Sequence, residues 1–260
     1  MAVAVGDTFL LAVTEHGDLF VSGGNQHGQL GLGLVGPSQE GAVLDRARVF
    51  DNLAVVMVSA GAKHSACVTC DGSVWTWGFG SYGALGIPAH LDTIQMYAND
   101  DHSDDETDGD RHQTCIVSPL RMPQHMHGRV PALMVACGYE FSIMLTAAGH
   151  VWTCGQAFGG ILGHNDTLVR RVLTQIATKQ FADQPIGMVA AGGSHSMALS
   201  RVGGSLWSWG VGNQGQLGLG VYCNAMAPRA VPPATFGGVG VRFMAAGSDF
   251  SMVVTHDNTL

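Results

Sequence analysis

Large apolar residues alternate with smaller ones in five short runs along the chain. The large positions are Phe9, Leu11 and Val13; His64, Ala66 and Val68; Phe141, Ile143 and Leu145; His195, Met197 and Leu199; and Phe250, Met252 and Val254. A period of two predicts a strand in each run. The positions between are smaller, as in Ser65 and Cys67, Ser142 and Met144, Ser196 and Ala198, or Ser251 and Val253. One large face beside one small face predicts sheets packed against neighbours on both sides. Each run is followed by a turn at Gly17, Gly72, Gly149 or Gly204, and Asn258 takes the fifth place. Asparagine is the best substitute for glycine where the left-handed conformation is required.

A second strand follows each turn: Leu19-Phe20-Val21-Ser22-Gly23, Val74-Trp75-Thr76-Trp77-Gly78, Val151-Trp152-Thr153-Cys154-Gly155 and Leu206-Trp207-Ser208-Trp209-Gly210. All five tryptophans, Trp75, Trp77, Trp152, Trp207 and Trp209, lie in these strands at equivalent places, as packing elements repeated unit by unit.

The glycines give the period. Gly6, Gly61, Gly138, Gly192 and Gly247 open the units, and successive starts lie 55, 77, 54 and 55 residues apart. The glycine closing the aromatic strand precedes that of a Leu-Gly turn by 8 residues in all four complete units. The spacing predicts units over about 4–57, 58–134, 135–188 and 189–243, with a truncated one over 244–260, forming a single partial β-propeller. An all-β unit of this length in radial repetition is a propeller blade. A WD-repeat reading fails because the period is too long and no Trp-Asp pair occurs. A kelch reading fails because the double glycines do not recur in register.

The frame A-G-x-x-H-S-x-A-L…G-x-(L/V)-W-x-W-G-x-G-x-x-G-Q-L-G, clearest over 191–218 and 60–86, resembles the repeat of the regulator of chromosome condensation family. The resemblance implies a seven-bladed propeller, of which this chain supplies four full units and part of a fifth. The expectation is an incomplete ring, about four to five of seven blades. Its first blade is expected to lack a strand ahead of Val3, and its two end faces to be left bare.

Composition adds little against this picture and one feature to it. Hydrophobic residues make up 46% of the chain and charged residues 12%, and 37 glycines supply the many turns. Seven acidic residues of the −8 net charge sit within 99–110; without them the net charge is −1. That stretch, 98–112, is expected to be a disordered acidic insertion. Asp104, Glu106, Asp108 and Gly109 imitate the opening of a calcium loop, but the twelfth position is Cys115 instead of glutamate. The rest of the chain carries no basic cluster of the size a DNA footprint needs, so direct nucleic-acid binding is not expected. Six cysteines in so long a chain indicate free thiols and an intracellular protein, cytoplasmic or nuclear. No stretch is long and apolar enough to enter a membrane as a helix.

Four patterns invite a chemical reading and do not carry it. Gly78-Gly80-Gly83 and Gly210-Gly212-Gly215 match a dinucleotide fingerprint, but neither leads into a helix. His64 and His195 share a repeat position with Phe9, Phe141 and Phe250, so that position wants a ring. Cys67 and Cys70 lie three apart on a strand and point to opposite faces, which a shared metal does not allow. His125 and His127 have no third ligand nearby in sequence. No catalytic residue, metal site or cofactor is expected.

The function expected is a non-catalytic scaffold whose loops contact a protein partner of unknown identity. The resemblance implies an alternative, guanine-nucleotide exchange on a Ran-type small GTPase. Asp7 and Asp249, beside their repeat glycines, sit near places where the family carries partner-contacting residues. The constant 8-residue spacing leaves no room for the inserted wedge that exchange uses, and no basic tail is present. Light sensing through a G-W-R-H-T motif, also found in the family, is not expected. The residue after the repeat glycine is Asp7, Ala62, Tyr139, Gly193 or Ser248, never tryptophan.

Overall fold

Each alternating run forms a strand, and each glycine turn folds it back onto the next. The computed structural model describes residues 1–36, 44–50, 52–87 and 115–259. It is all-β, with short 3-10 turns and no α-helix among the described residues. The first sheet contains β1 (Ala2–Val5), β2 (Phe9–Val13), β3 (Leu19–Gly23) and β4 (Asp45–Arg46). The second contains β5 (Val55–Ala60), β6 (His64–Thr69), β7 (Val74–Phe79) and β8 (Cys115–Arg121). The third contains β9 (Ala132–Cys137), β10 (Phe141–Thr146), β11 (Val151–Gly155) and β12 (Arg170–Gln175). The fourth contains β13 (Ile186–Ala191), β14 (His195–Ser200), β15 (Leu206–Gly210) and β16 (Ala225–Ala230). The fifth pairs β17 (Val241–Ala246) with β18 (Ser251–Thr255). Within every sheet the strands pair antiparallel in chain order.

The opening strand corrects one expectation. The first sheet has the same four strands as the three that follow it, and Val3 lies within the first of them, Ala2–Val5, which pairs with β2, Val3 opposite Ala12. Its counterparts β5, β9, β13 and β17 also end just before a repeat glycine. Each of the unit borders drawn after 57, 134, 188 and 243 therefore falls inside the first strand of the following sheet. These strands mix small and large residues without a period common to all of them, so they carry little of the large-small alternation that marks β2 or β10.

First strands neighbour one another from β1 through β5, β9 and β13 to β17, which places them innermost. The repeat glycines follow from that crowding. A Cβ on Gly61 would lie 2.4 Å from the carbonyl oxygen of Gly138, and one on Gly192 would lie 2.5 Å from that of Gly247. Backbones of successive blades approach too closely there for any side chain.

The core lies between sheets. Phe9, Leu11 and Val21 of the first blade pack with Val58, Cys67 and Trp77 of the second. Ile143 and Phe141 of the third pack with Val189, Trp207 and Trp209 of the fourth. Every residue of β6, β10 and β14 is buried, on both faces. Phe250 holds the place of Phe9, yet it is 55% exposed because no further sheet follows it among the described residues. Asn258 adopts φ 67°, matching the left-handed glycines at the same turn in other blades. The acidic stretch 98–112 lies outside the described residues, in the chain between β7 and β8. No helix among the described residues is long and apolar enough to cross a membrane.

Candidate functional site

The junctions between blades share one polar device. The carbonyl just before each Leu-Gly turn accepts a serine hydroxyl from the next blade. Ser65 donates to Gln29 at 2.7 Å, Ser142 to Ala84 at 2.7 Å, Ser196 to Ile161 at 2.9 Å and Ser251 to Gln216 at 2.7 Å. Three of these carbonyls take a second donor from the aromatic strand. The Trp77 indole N–H reaches Gln29 at 2.8 Å and the Trp209 indole N–H reaches Ile161 at 2.9 Å. In the third blade Cys154 replaces the tryptophan, and its thiol lies 3.5 Å from the Ala84 oxygen. Buried backbone oxygens are thus satisfied across each junction, as they must be away from water.

His64 and His195 belong to this device. His64 Nε2 lies 2.9 Å from Ser142 Oγ and His195 Nε2 lies 2.8 Å from Ser251 Oγ. Each serine spends its only proton on a carbonyl, so the ring N–H is the donor and both histidines are Nε2–H tautomers. Burial pushes both down to about 4; at His195 the nearby Asp249 charge opposes the shift in part. Neutral and locked, they act as N–H-bearing rings between blades. Trp75 and Trp207 pack edge-on against Phe50 and Phe181, and Trp152 is half-buried in the third blade.

The turns after the repeat glycines bring a different set of residues together. In all five, the glycine N–H bonds the carbonyl three residues on, from Gly6 to Phe9 through Gly247 to Phe250. This closes a tight turn and presents Asp7, Ala62, Tyr139, Gly193 and Ser248 around the blade centre, where they line a shallow funnel. Three of these turns are tied together. Tyr139 N–H donates to Gly193 O at 3.1 Å, and Gly193 N–H to Ser248 O at 2.9 Å. The Tyr139 hydroxyl also meets Ser248 Oγ at 2.8 Å. Beside this ladder opens a cleft of about 400 Å³, lined in part by Asp7, Lys63, Phe79, Tyr139, Glu140 and Phe158. Tyr139 is 44% and Phe158 67% exposed. The Lys63 ammonium sits 5.5 Å from the centre of the Phe79 ring.

Of the two candidate contact residues, Asp7 lines this cleft. Asp249 faces another groove, beside Phe250 and Gln216, and accepts a hydrogen bond from Ser248 Oγ at 3.1 Å. Lys63, Phe79, Tyr139, Glu140 and Phe158 were not singled out by the repeat frame. Their signal was variation: they stand beside invariant glycines at positions where the units differ from one another. The structure places the four chemical patterns on strands and turns of the blades. Gly78 to Gly83 runs into a 3-10 turn, Cys67 is buried while Cys70 is exposed, and His127 Nδ1 bonds the Val130 carbonyl. No cluster of three metal-ligating side chains occurs among the described residues.

The regulator of chromosome condensation (RCC1) repeat model matches residues 71–145, 148–199 and 203–254, and a second model of that repeat matches 2–29 and 55–84. The chain belongs to the RCC1 repeat family. It is 33% identical over 226 residues to the Ultraviolet-B receptor UVR8 of Arabidopsis thaliana, covering 87% of this chain and 44% of that one. It is 32% identical over 235 residues to the human probable E3 ubiquitin-protein ligase HERC3, covering 89% of this chain and 19% of that one. Among solved structures, human WBSCR16 superposes with a TM-score of 0.78 at 22% identity, covering 97% of this chain and 57% of that one. Prp20p of Saccharomyces cerevisiae, a protein with binding properties to Gsp1p and histones, gives 0.69 at 20% identity, covering 99% and 57%. The chain thus spans less than half of these curated RCC1 relatives and somewhat more than half of the solved chains. The structural likeness is one of fold, the RCC1 β-propeller.

Proposed function

We propose that this RCC1 propeller is a protein-interaction scaffold, and that its contact surface is the cleft beside the Tyr139–Gly193–Ser248 ladder. The observation that carries the reading is the exposure of Phe158 and Tyr139 at that cleft, on turns fixed by backbone hydrogen bonds. Aromatic side chains held rigidly at a concave surface contribute binding energy with little ordering cost. Loops on a rigid scaffold are also where partners are contacted. The partner is a protein met inside the cell, in cytoplasm or nucleus, and binding proceeds without a cofactor or a catalysed step.

A second reading, guanine-nucleotide exchange on a Ran-type GTPase, draws on Asp7 in the cleft and on the fold shared with Prp20p. The constant 8-residue spacing after the aromatic strand weighs against it.

A photo-crosslinking amino acid at position 158, with one at position 202 as control, tests the scaffold. Val202 is exposed on the turn between β14 and β15, at the other end of the hairpin. The expected result is a discrete protein adduct from position 158, absent from position 202 and lost with Tyr139→Ala. Equal labelling from both positions would overturn the reading. Release of labelled GDP from a Ran-type GTPase is expected to proceed at the same rate with and without the chain.

A further inference from the structure

The cleft is not a neutral apolar groove. Its walls carry two carboxylates, Asp7 and Glu140, against one cation, Lys63, and three aromatic rings, Phe79, Tyr139 and Phe158. Two groups of the same sign beside exposed rings constrain what can sit there. An anionic ligand, phosphate backbone included, would meet the carboxylates. A purely apolar side chain would cover them without giving them a partner, which costs free energy. A cation satisfies both features, since carboxylates attract it and ring faces carry negative charge density. The molecule already shows such a contact: the Lys63 ammonium lies over the Phe79 ring.

We propose that the cleft receives an arginine side chain from the protein partner, between the Asp7 and Glu140 carboxylates and the exposed rings of Tyr139 and Phe158. Arginine fits better than lysine for two reasons. Its planar guanidinium stacks on aromatic faces, and its five N–H donors can serve two separate carboxylates at once. It is also more weakly hydrated than an ammonium, so leaving water costs it less. Lys63 is the opposing element. Its charge repels an incoming cation while its own contact with Phe79 shields that ring. The proposal rests on the reading of this cleft as the protein-binding surface and specifies the chemistry of what enters it.

The probe is the capped tripeptide acetyl-Gly-Arg-Gly-amide, titrated into the 260-residue chain and followed by the backbone amide resonances of Tyr139 and Gly193. The lysine counterpart and the citrulline counterpart, which keeps arginine's shape without its charge, are run beside it. Saturable shifts are expected with arginine, severalfold weaker binding with lysine and none with citrulline. Asp7→Asn combined with Glu140→Gln should abolish the arginine shifts. Lys63→Met should tighten binding by roughly threefold, the order expected from removing one like charge near the bound cation in a partly solvated cleft. Tightening is an effect that loss of structure does not produce. Equal shifts with citrulline, arginine shifts that survive in the double variant, or no shifts with any peptide would each overturn the assignment. If position 158 still crosslinks a partner while the arginine peptide fails, the scaffold stands and the arginine falls.

Discussion

The indole N–H of Trp77 and the carbonyl oxygen of Gln29, 48 residues apart in sequence, meet at 2.8 Å across the junction of the first and second blades. Trp77 is fully buried there, and Ser65 holds the same oxygen from another side. The ring fills the junction and its N–H satisfies the backbone that the ring covers. The two roles can be separated. Trp77→Phe keeps most of the ring and should cost about 1 kcal/mol, the net value of one hydrogen bond. Trp77→Ala should cost about 3–5 kcal/mol by opening a cavity. Urea unfolding of the three proteins checks both, and equal losses from the two variants would show that the hydrogen bond outweighs the packing.

Ser142 stands between His64 and the Ala84 carbonyl. Ser142→Ala leaves a buried ring N–H without a partner, so a loss of about 2 kcal/mol is expected. Phenylalanine occupies the histidine place in the first and third blades, so His64→Phe removes the stranded donor. The double variant should therefore be less destabilised than the two single losses added together, by about 1 kcal/mol in a double-mutant cycle. Strict additivity would show that the two side chains do not act together.

His64 and His195 make the fold acid-sensitive. Folded, they take up protons only near pH 4; unfolded, they do so near 6.5. Between those values the unfolded chain binds more protons, so stability falls as pH drops through the window. At pH 5 the loss relative to pH 7 is about 2 kcal/mol for each histidine. His127 and His164, also held low by burial, act in the same direction. Denaturation midpoints at pH 7 and pH 5 measure the effect, and His64→Phe should shrink the difference between them. An unchanged difference would mean that His64 is not kept neutral by its junction.

Gly61→Ala should be far more costly than the addition of one methyl group suggests. The added methyl would meet the Gly138 carbonyl at 2.4 Å and the His64 ring at 2.5 Å. The first contact is backbone of the next blade and has nowhere to go. A loss of about 3 kcal/mol is expected, against a small effect for Ala62→Ser one residue on. Thermal melting of the two variants distinguishes them.

The blade frame was legible because it is written in repetition. Large rings at Phe9, His64, Phe141 and His195, and left-handed turns at Gly17 to Asn258, recur at fixed spacing, and spacing survives in a sequence where distance does not. The innermost strands were less visible. Ala2–Val5 is only 4 residues long, and Val55–Ala60 is apolar nearly throughout without a clean alternation of large and small, so both give a weak periodic signal. The junction hydrogen bonds were hidden for another reason, since Ser65 and Gln29 stand on different blades and only a placed backbone shows that one serves the other. The cleft lies outside the repetition that marks the fold. Tyr139, Glu140 and Phe158 break the repeat, and nothing in the frame sets them apart from ordinary surface residues.

The shared carbonyl at each junction has a consequence for assembly. A serine hydroxyl plus an indole or thiol from one blade fits the same oxygen on whichever blade precedes it, because the socket is backbone and bears no side-chain identity. This hydrogen bond therefore carries no address. Blade two and blade four dock by the same Ser–Trp pair onto the same kind of turn, so these hydrogen bonds do not distinguish a neighbour in sequence from a stranger. What distinguishes one junction from another is left to the side chains around them, such as His64 against Ser142 where another blade carries Phe9. Folding that proceeds outward from neighbouring units keeps the blades in order, whereas a chain released unfolded at high concentration can close the same sockets with blades of another molecule.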